Sequence, residues 1–149
     1  MTTGSLGIDT DVLVSWAMLG APHHEAARRL LETSIRSERA PIALTPQVFF
    51  EFIHVVTDSR RFARPMEMEQ AISFTRGLWD APETVRVMPG PTMLHRVLEL
   101  LGSLRLGRKR ILDTALAVTL SQAGVDRLAT FNGRDYAVFD FLEIVDPRA

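Results

Sequence analysis

The chain has no cysteine, which excludes disulfides, thiolate metal sites and cysteine nucleophiles and fits a reducing compartment such as the cytosol. Lysine is nearly absent too: Lys109 is the only one among 17 basic residues, and the rest are arginine. Against 18 acidic residues the net charge is −1, so no field of one sign coats the surface and any polyanion must be held by a local patch. Long apolar runs are missing as well. The stretch from Val12 to Pro22 is too short to span a bilayer and is interrupted by Ser15 and Gly20, and Met1 to Leu6 has no basic leader region, so neither a membrane span nor an export signal is expected. No repeat or low-complexity tract occurs, and the most punctuated stretch, Ala81 to Pro91, is loop-sized.

What is present describes a globular chain. Its 149 residues are 46% hydrophobic and 23% charged, which predicts one domain over residues 1–149, able to bury about 70% of its unfolded surface without staples. Leu6-Gly7-Ile8 reads as a strand ending in Asp9, followed by a helix from Val12 to Leu19. His23 to Arg36 has the apolar stripe of a surface helix. Ile42-Ala43-Leu44 is a second strand, and Thr45-Pro46 supplies the N-cap and first-turn proline of a helix over Gln47 to Thr57. Met66 to Trp79 and Pro91 to Leu104 carry helical spacing on either side of a strand at Val85 to Met88. Ile111 to Ala123 is a helix stopped by Gly124, and strands follow at Arg127 to Thr130 and Glu143 to Val145. Strands alternating with helices predict an α/β fold: a three-layer α/β/α sandwich with a mainly parallel central sheet of about five strands. In such sheets ligands sit at the carboxyl ends of the strands.

Several carboxylates stand where structure alone does not explain them. Glu51 lies in a helix that is apolar nearly all round, with Gln47 and His54 but no Lys or Arg one turn away. A buried unpaired charge costs several kcal/mol, so Glu51 needs a distant cation, a proton or a water-filled cleft. Asp9 and Asp11 both follow the first strand, and only one can cap the next helix. Asp9, nearer the strand end, takes the functional role and Asp11 the cap or a supporting one. Asp113 opens a helix of small residues, where a carboxylate is also favoured by the helix dipole. Together, Asp9, Glu51 and Asp113 compose an all-oxygen set suited to a hard cation such as Mg²⁺ or Mn²⁺. Thr130, Asn132 and Asp135 follow the next strand and face the same edge, in a segment whose Asn-Gly is also ordinary turn chemistry.

The ordered set Ile-Asp9-Thr-Asp-Val-Leu, Phe-Phe-Glu51-Phe, Leu-Asp113-Thr-Ala-Leu-Ala and Ala-Thr130-Phe-Asn-Gly-Arg-Asp135-Tyr closely resembles the PIN-domain nucleases, in particular the VapC toxins of bacterial type II toxin–antitoxin pairs. The match runs from Leu6 to about Pro147. The resemblance implies an α/β/α sandwich and a Mg²⁺-dependent endoribonuclease that hydrolyses RNA phosphodiesters with metal-activated water. It also implies a cognate VapB-type antitoxin, tRNA or rRNA as substrate, a homodimer and a cytoplasmic location. It makes Asp9, Glu51 and Asp113 the metal ligands and catalytic acids, with Asp135 a further acid and Asp11, Thr130, Asn132 and Arg110 around them. Two departures stand out: Asp11 replaces an Asn of many members, and Asn132 replaces a fourth acid, with Asp135 three residues on.

Independently of the family, a carboxylate-held Mg²⁺ can acidify water and clamp a phosphodiester, leaving a 5′-phosphate and a 3′-hydroxyl after direct attack. Two alternatives remain. A phosphatase of the haloacid dehalogenase class is suggested by Asp9-Thr-Asp11, although Leu13 breaks its motif. A non-catalytic PIN-like interaction module would leave the acids dispersed instead of within about 4–6 Å of one another, the span needed to share an ion. His23 and His24 point about 100° apart on a helix and read as surface residues. His54 and His95 receive no role, and Trp16, Phe49, Phe50, Phe52 and Trp79 read mainly as core, some lining a dimer or antitoxin groove. The clusters Arg105 with Arg108 to Arg110, and Arg60-Arg61 with Arg64, are surface charge or phosphate contacts flanking an acidic cleft, with Arg110 the nearest candidate for substrate.

Overall fold

The structure, a computed structural model, describes residues 4–36 and 40–149. Met1 to Thr3, part of the stretch read for a leader, lie outside them. Two strands form the fully buried centre, β1 at Leu6–Ile8 and β2 at Ile42–Leu44. Apolar residues on both faces suit a parallel strand covered from both sides. β3 (Thr84–Arg86), β4 (Arg127–Ala129) and β5 (Glu143–Val145) complete a sheet of order β3-β2-β1-β4-β5, in which every pairing is parallel.

The helices among the described residues are α1 (Thr10–Ala17), α2 (His24–Arg36), α3 (Pro46–Val56), α4 (Met68–Trp79), α5 (Met93–Ser103), α6 (Ile111–Gln122) and the short α7 (Gly133–Tyr136). α1 packs on α2 and α3, and α3 on α4; α6 packs on α5 and α7. These two groups are the outer layers of the α/β/α sandwich.

Local chemistry sets the helix starts. Thr45 accepts from the Val48 N–H at 3.3 Å and Pro46 occupies the first turn of α3. The Gln70 side chain accepts from the Glu67 N–H at 2.9 Å in a capping box before α4. At α1 the sequence expectation is corrected: Asp9, not Asp11, is the N-cap, its Oδ1 accepting from the Thr10 N–H at 2.8 Å, so the helix begins two residues earlier than Val12. The Asn132-Gly133 segment, read as a turn, continues instead into α7.

The strand order reverses at β1, between β2 and β4, which creates a crevice outside the carboxyl ends of the strands. The β1–β4 ladder runs past its last paired residues through Asp9 N–H to Ala129 O at 3.0 Å. Asp9 and Thr130 therefore emerge side by side at that crevice. Below them Gly7 marks a close approach: a Cβ there would stand 2.8 Å from Leu120 Cδ1 in α6 and 3.0 Å from the Arg127 carbonyl oxygen in β4.

Candidate active site

At the crevice lies a cleft of about 580 Å³ whose lining includes Asp9, Asp11, Glu51, Asp113 and Asn132. Four carboxylates from the start of α1, the middle of α3 and the first turn of α6 thus face one hollow. Each is placed by neutral donors. Asp9, 9% exposed, accepts from Thr10 N–H through Oδ1 and from Thr130 Oγ1 through Oδ2, both at 2.8 Å. Asp11 Oδ2 accepts from the Phe131 N–H at 3.1 Å and from Asn132 Nδ2 at 3.0 Å, while its Oδ1 is buried with no hydrogen-bond partner. Asn132 N–H closes the ring by donating to Thr130 Oγ1 at 3.0 Å.

Glu51 is half-buried and lines the open cleft, which resolves the sequence problem it posed. Its Oε1 accepts from Gln47 Nε2 at 3.1 Å and its Oε2 from Thr10 Oγ1 at 3.4 Å. The same Gln47 amide donates to the Leu112 carbonyl at 2.9 Å, which ties α3 to the start of α6 and brings Glu51 beside Asp113. Asp113 Oδ1 accepts from the Tyr136 hydroxyl at 3.2 Å. Tyr136, 1% exposed, closes the Asn-Gly motif in the sequence but received no role there.

Among the described residues no Lys or Arg forms an ion pair with Asp9, Asp11, Glu51 or Asp113. The electrostatic consequence is a raised proton affinity at Asp9, Asp11 and Asp113. Burial pushes the Asp9 carboxyl up to about 6, against the bonds from Thr130 and Thr10, and the charges of Asp113 and Glu51 add to the rise. Burial, then the charge of Asp9, pushes Asp11 up to about 7. Asp113 is raised chiefly by burial, with the Tyr136 bond opposing, and burial likewise lifts the Tyr136 phenol far above its usual value.

The carboxylates line one cleft, but among the described residues no three Asp, Glu or His side chains close around a single ion position. The convergence of Asp9, Glu51 and Asp113 expected of a shared ion site is therefore not reached by three acids at once among the described residues, and mutual repulsion of unneutralised acids resists it. The donor set itself fits a hard divalent cation: oxygen ligands, an excess of negative charge and no competing nitrogen or sulfur. Asp135 does not line the cleft. Arg110, expected nearest to substrate, is engaged with it, donating to the Asp135 carbonyl at 2.6 Å and pairing with its Oδ1 at 3.4 Å. Asn132 rather than Asp135 therefore faces the hollow beside the acids. His23 lies against the Phe131 ring at 4.8 Å and His24 bonds the Ser15 carbonyl oxygen at 2.9 Å, so both pack more closely than surface residues would. Arg61, one of the basic cluster read as surface charge or phosphate contact beside an acidic cleft, lines this cleft together with Phe62, which carried no sequence signal.

Comparison with known proteins agrees with this geometry. The PIN domain family matches residues 7–142. The chain is 31% identical over 147 residues to Ribonuclease VapC24 of Mycobacterium tuberculosis, covering 95% of this chain and 96% of that protein. Among solved structures, M. tuberculosis VapC20, described as a Sarcin-Ricin loop cleaving toxin, superposes with a TM-score of 0.67 at 16% identity over 91% of this chain and 95% of its own. VapBC-1 of nontypeable Haemophilus influenzae gives 0.65 at 14% identity over 97% and 98%. Neither the phosphatase reading of Asp9-Thr-Asp11 nor the non-catalytic one draws support from these likenesses. With its acids at the switch point of a parallel sheet and a match that spans nearly its whole length, the chain belongs to the PIN-domain family, among the VapC ribonucleases.

Proposed function

We propose that this chain is a divalent-metal-dependent endoribonuclease, one nuclease domain over residues 1–149, and the toxin of a VapBC-type pair acting in the cytoplasm on RNA such as tRNA or rRNA. The observation that carries this reading is the gathering of four carboxylates in one cleft with no Lys or Arg among the described residues in an ion pair with any of them. Mg²⁺, with Mn²⁺ as a substitute, would be held by Asp9, Glu51 and Asp113, where it supplies neutralisation of phosphodiester charge and acidifies water.

The protein's own part is positional. Thr10 and Thr130 fix both oxygens of Asp9, Gln47 fixes Glu51, and Tyr136 fixes Asp113. Asp11 and Asn132 hold each other and add one charge and one amide oxygen beside the set. Asp135, held by Arg110, flanks Asp113 and raises its proton affinity through its charge. No helix among the described residues is long and apolar enough to cross a membrane. Protein partners, a second copy and a cognate antitoxin, are supported by apolar side chains left in water, notably Phe50 at 70% exposure.

The test is cleavage of a mixed tRNA and rRNA pool by purified protein with Mg²⁺, with excess chelator, and with Asp113→Asn. Discrete cuts lost in both controls, leaving 5′-phosphate ends, are expected. Cuts that survive chelation or the Asp113 substitution reject the carboxylate–metal mechanism.

A further inference from the structure

An acid-lined cleft repels the polyanion it must admit, so cations have to stand beside it rather than in it. The loop between α3 and α4 supplies them. Asp58 builds this loop from within: its carbonyl accepts from the N–H groups of Arg61 and Phe62 at 3.1 and 3.2 Å, and its Oδ1 accepts from the Arg60 N–H at 2.8 Å. Met66 N–H closes the loop on the Val56 carbonyl at 2.8 Å. Asp58 also holds Arg60 at 3.2 Å, and it lies 3.8 Å from Arg61, at the limit of an ion pair. Arg64 is exposed and forms no ion pair or hydrogen bond with the described residues.

Position gives these charges a purpose. Arg61 and Phe62 line the acid cleft and also line a second groove of about 700 Å³, so the two hollows share a wall. The second groove runs between Met18, Leu19 and Gly20 at the end of α1 and Arg61, Phe62 and Arg64 on the loop. It combines guanidinium groups with apolar surface, Leu19 being 85% exposed and Phe62 half-buried. Such a pairing matches an unpaired nucleic-acid strand, whose phosphates take arginine and whose bases take aromatic and apolar side chains.

We infer that the groove between the end of α1 and the α3–α4 loop carries the single-stranded RNA segment adjoining the scissile phosphate, with Arg61 and Arg64 on its phosphates and Phe62 and Leu19 against its bases. The inference rests on the nuclease reading for its substrate. Arg61 and Arg64 are positioning residues: they place the strand and leave the acids untouched.

The experiment compares wild type with Arg61→Ala/Arg64→Ala, the charge-keeping Arg61→Lys/Arg64→Lys, and Arg29→Ala/Arg36→Ala as an equal-charge control on α2. Steady-state cleavage of a single-stranded RNA in Mg²⁺ gives kcat and KM. Fluorescence anisotropy of the same RNA in chelator, across a salt series, reads binding without turnover. The double alanine variant should raise KM at least about tenfold with little change in kcat. Its log-affinity against log-salt slope should flatten by about 1.4, at about 0.7 per lost phosphate contact on a single strand. The lysine pair should recover most of that slope, and the α2 control should match wild type. A wild type that cuts RNA, with a double alanine variant of equal KM and equal salt slope, overturns the groove assignment alone and leaves the loop's charges to a protein partner. A wild type that cuts nothing with any divalent metal overturns the nuclease reading, and the chelator titration still reads the groove.

Discussion

Two regions of this molecule violate the ordinary placement of residues in opposite directions. Around the cleft beyond the strand ends, Asp9, Asp11, Glu51 and Asp113 are wholly or partly buried with no ion pair to a Lys or Arg among the described residues. On the outer face of α3 and α4, Phe50 and Ile72 stand in water at 70% and 41% exposure, with Met88 just past β3 at 62%, around a hollow also lined by Phe49 and Trp79. The first region lacks a cation and the second lacks a cover. Folding explains neither, since a chain selected for stability alone would exchange the two sets. The difference separates chemistry from assembly: the acids should respond to ions and protons, the apolar face to protein concentration.

The largest effect that sharpens this contrast comes from Asp9→Asn. Cleavage should fall on the order of 10²–10³-fold, while the thermal midpoint holds or rises because one buried charge is gone. A variant that loses activity only by melting would erase the distinction between the regions.

Proton dependence comes next. Asp9 and Asp11 lie at about 6 and about 7 against 3.8 for an ordinary aspartate. An acid raised by folding contributes stability in full below 3.8 and loses it as pH climbs through its folded value. In chelator the midpoint should therefore fall from pH 5 to pH 8, by about 2–4 °C for each kcal/mol lost. Asp11→Asn should flatten that profile, and saturating Mg²⁺ should stabilise more at pH 8 than at pH 5. Parallel profiles for wild type and Asp11→Asn in differential scanning fluorimetry would refute the assignment.

Smaller is the cost of Thr130→Val, which removes the donor to Asp9 Oδ2 and the acceptor of Asn132 N–H. About 1–3 kcal/mol of stability should go in a urea titration, together with a rise in the Mg²⁺ concentration needed for cleavage. No change in either quantity would show that the threonine supports nothing. Smallest for the isolated fold is Phe50→Ser with Ile72→Ser: stability should move within about 0.5 kcal/mol, while any self-association in sedimentation weakens. A large loss of stability would return these residues to the core.

Much of this was legible from the residues. The βα alternation and the order of the elements follow from short apolar runs set between helices with local start and stop signals, and Asp9, Glu51 and Asp113 stood out as carboxylates at a strand end, inside an apolar helix and at a helix start, which the structure gathers in one cleft. What the sequence could not reveal depends on contacts between distant residues. Gln47 bridging to Leu112, Tyr136 reaching Asp113 and Arg110 turning to Asp135 join positions 65, 23 and 25 residues apart. The choice of cap between Asp9 and Asp11 likewise turned on Phe131 and Asn132, 120 and 121 residues downstream of Asp11, which claim its carboxylate. Apolar periodicity also made α3 look buried throughout, although Phe50 faces water, since a helix pattern cannot say which neighbour arrives.

The contact beneath the cleft has a bearing on how the acids can be altered at all. Gly7 lies two residues before Asp9, and Leu120, against which a side chain at Gly7 would press at 2.8 Å, lies seven residues after Asp113 on the same helix, about 10 Å along its axis. The seating of α6, which carries Asp113, against the strand that leads to Asp9 thus depends on one absent methyl group. Gly7→Ala would turn the flexible end of Leu120 aside and press on the Arg127 carbonyl oxygen, so its cost should appear first as lost stability and only through that as lost cutting.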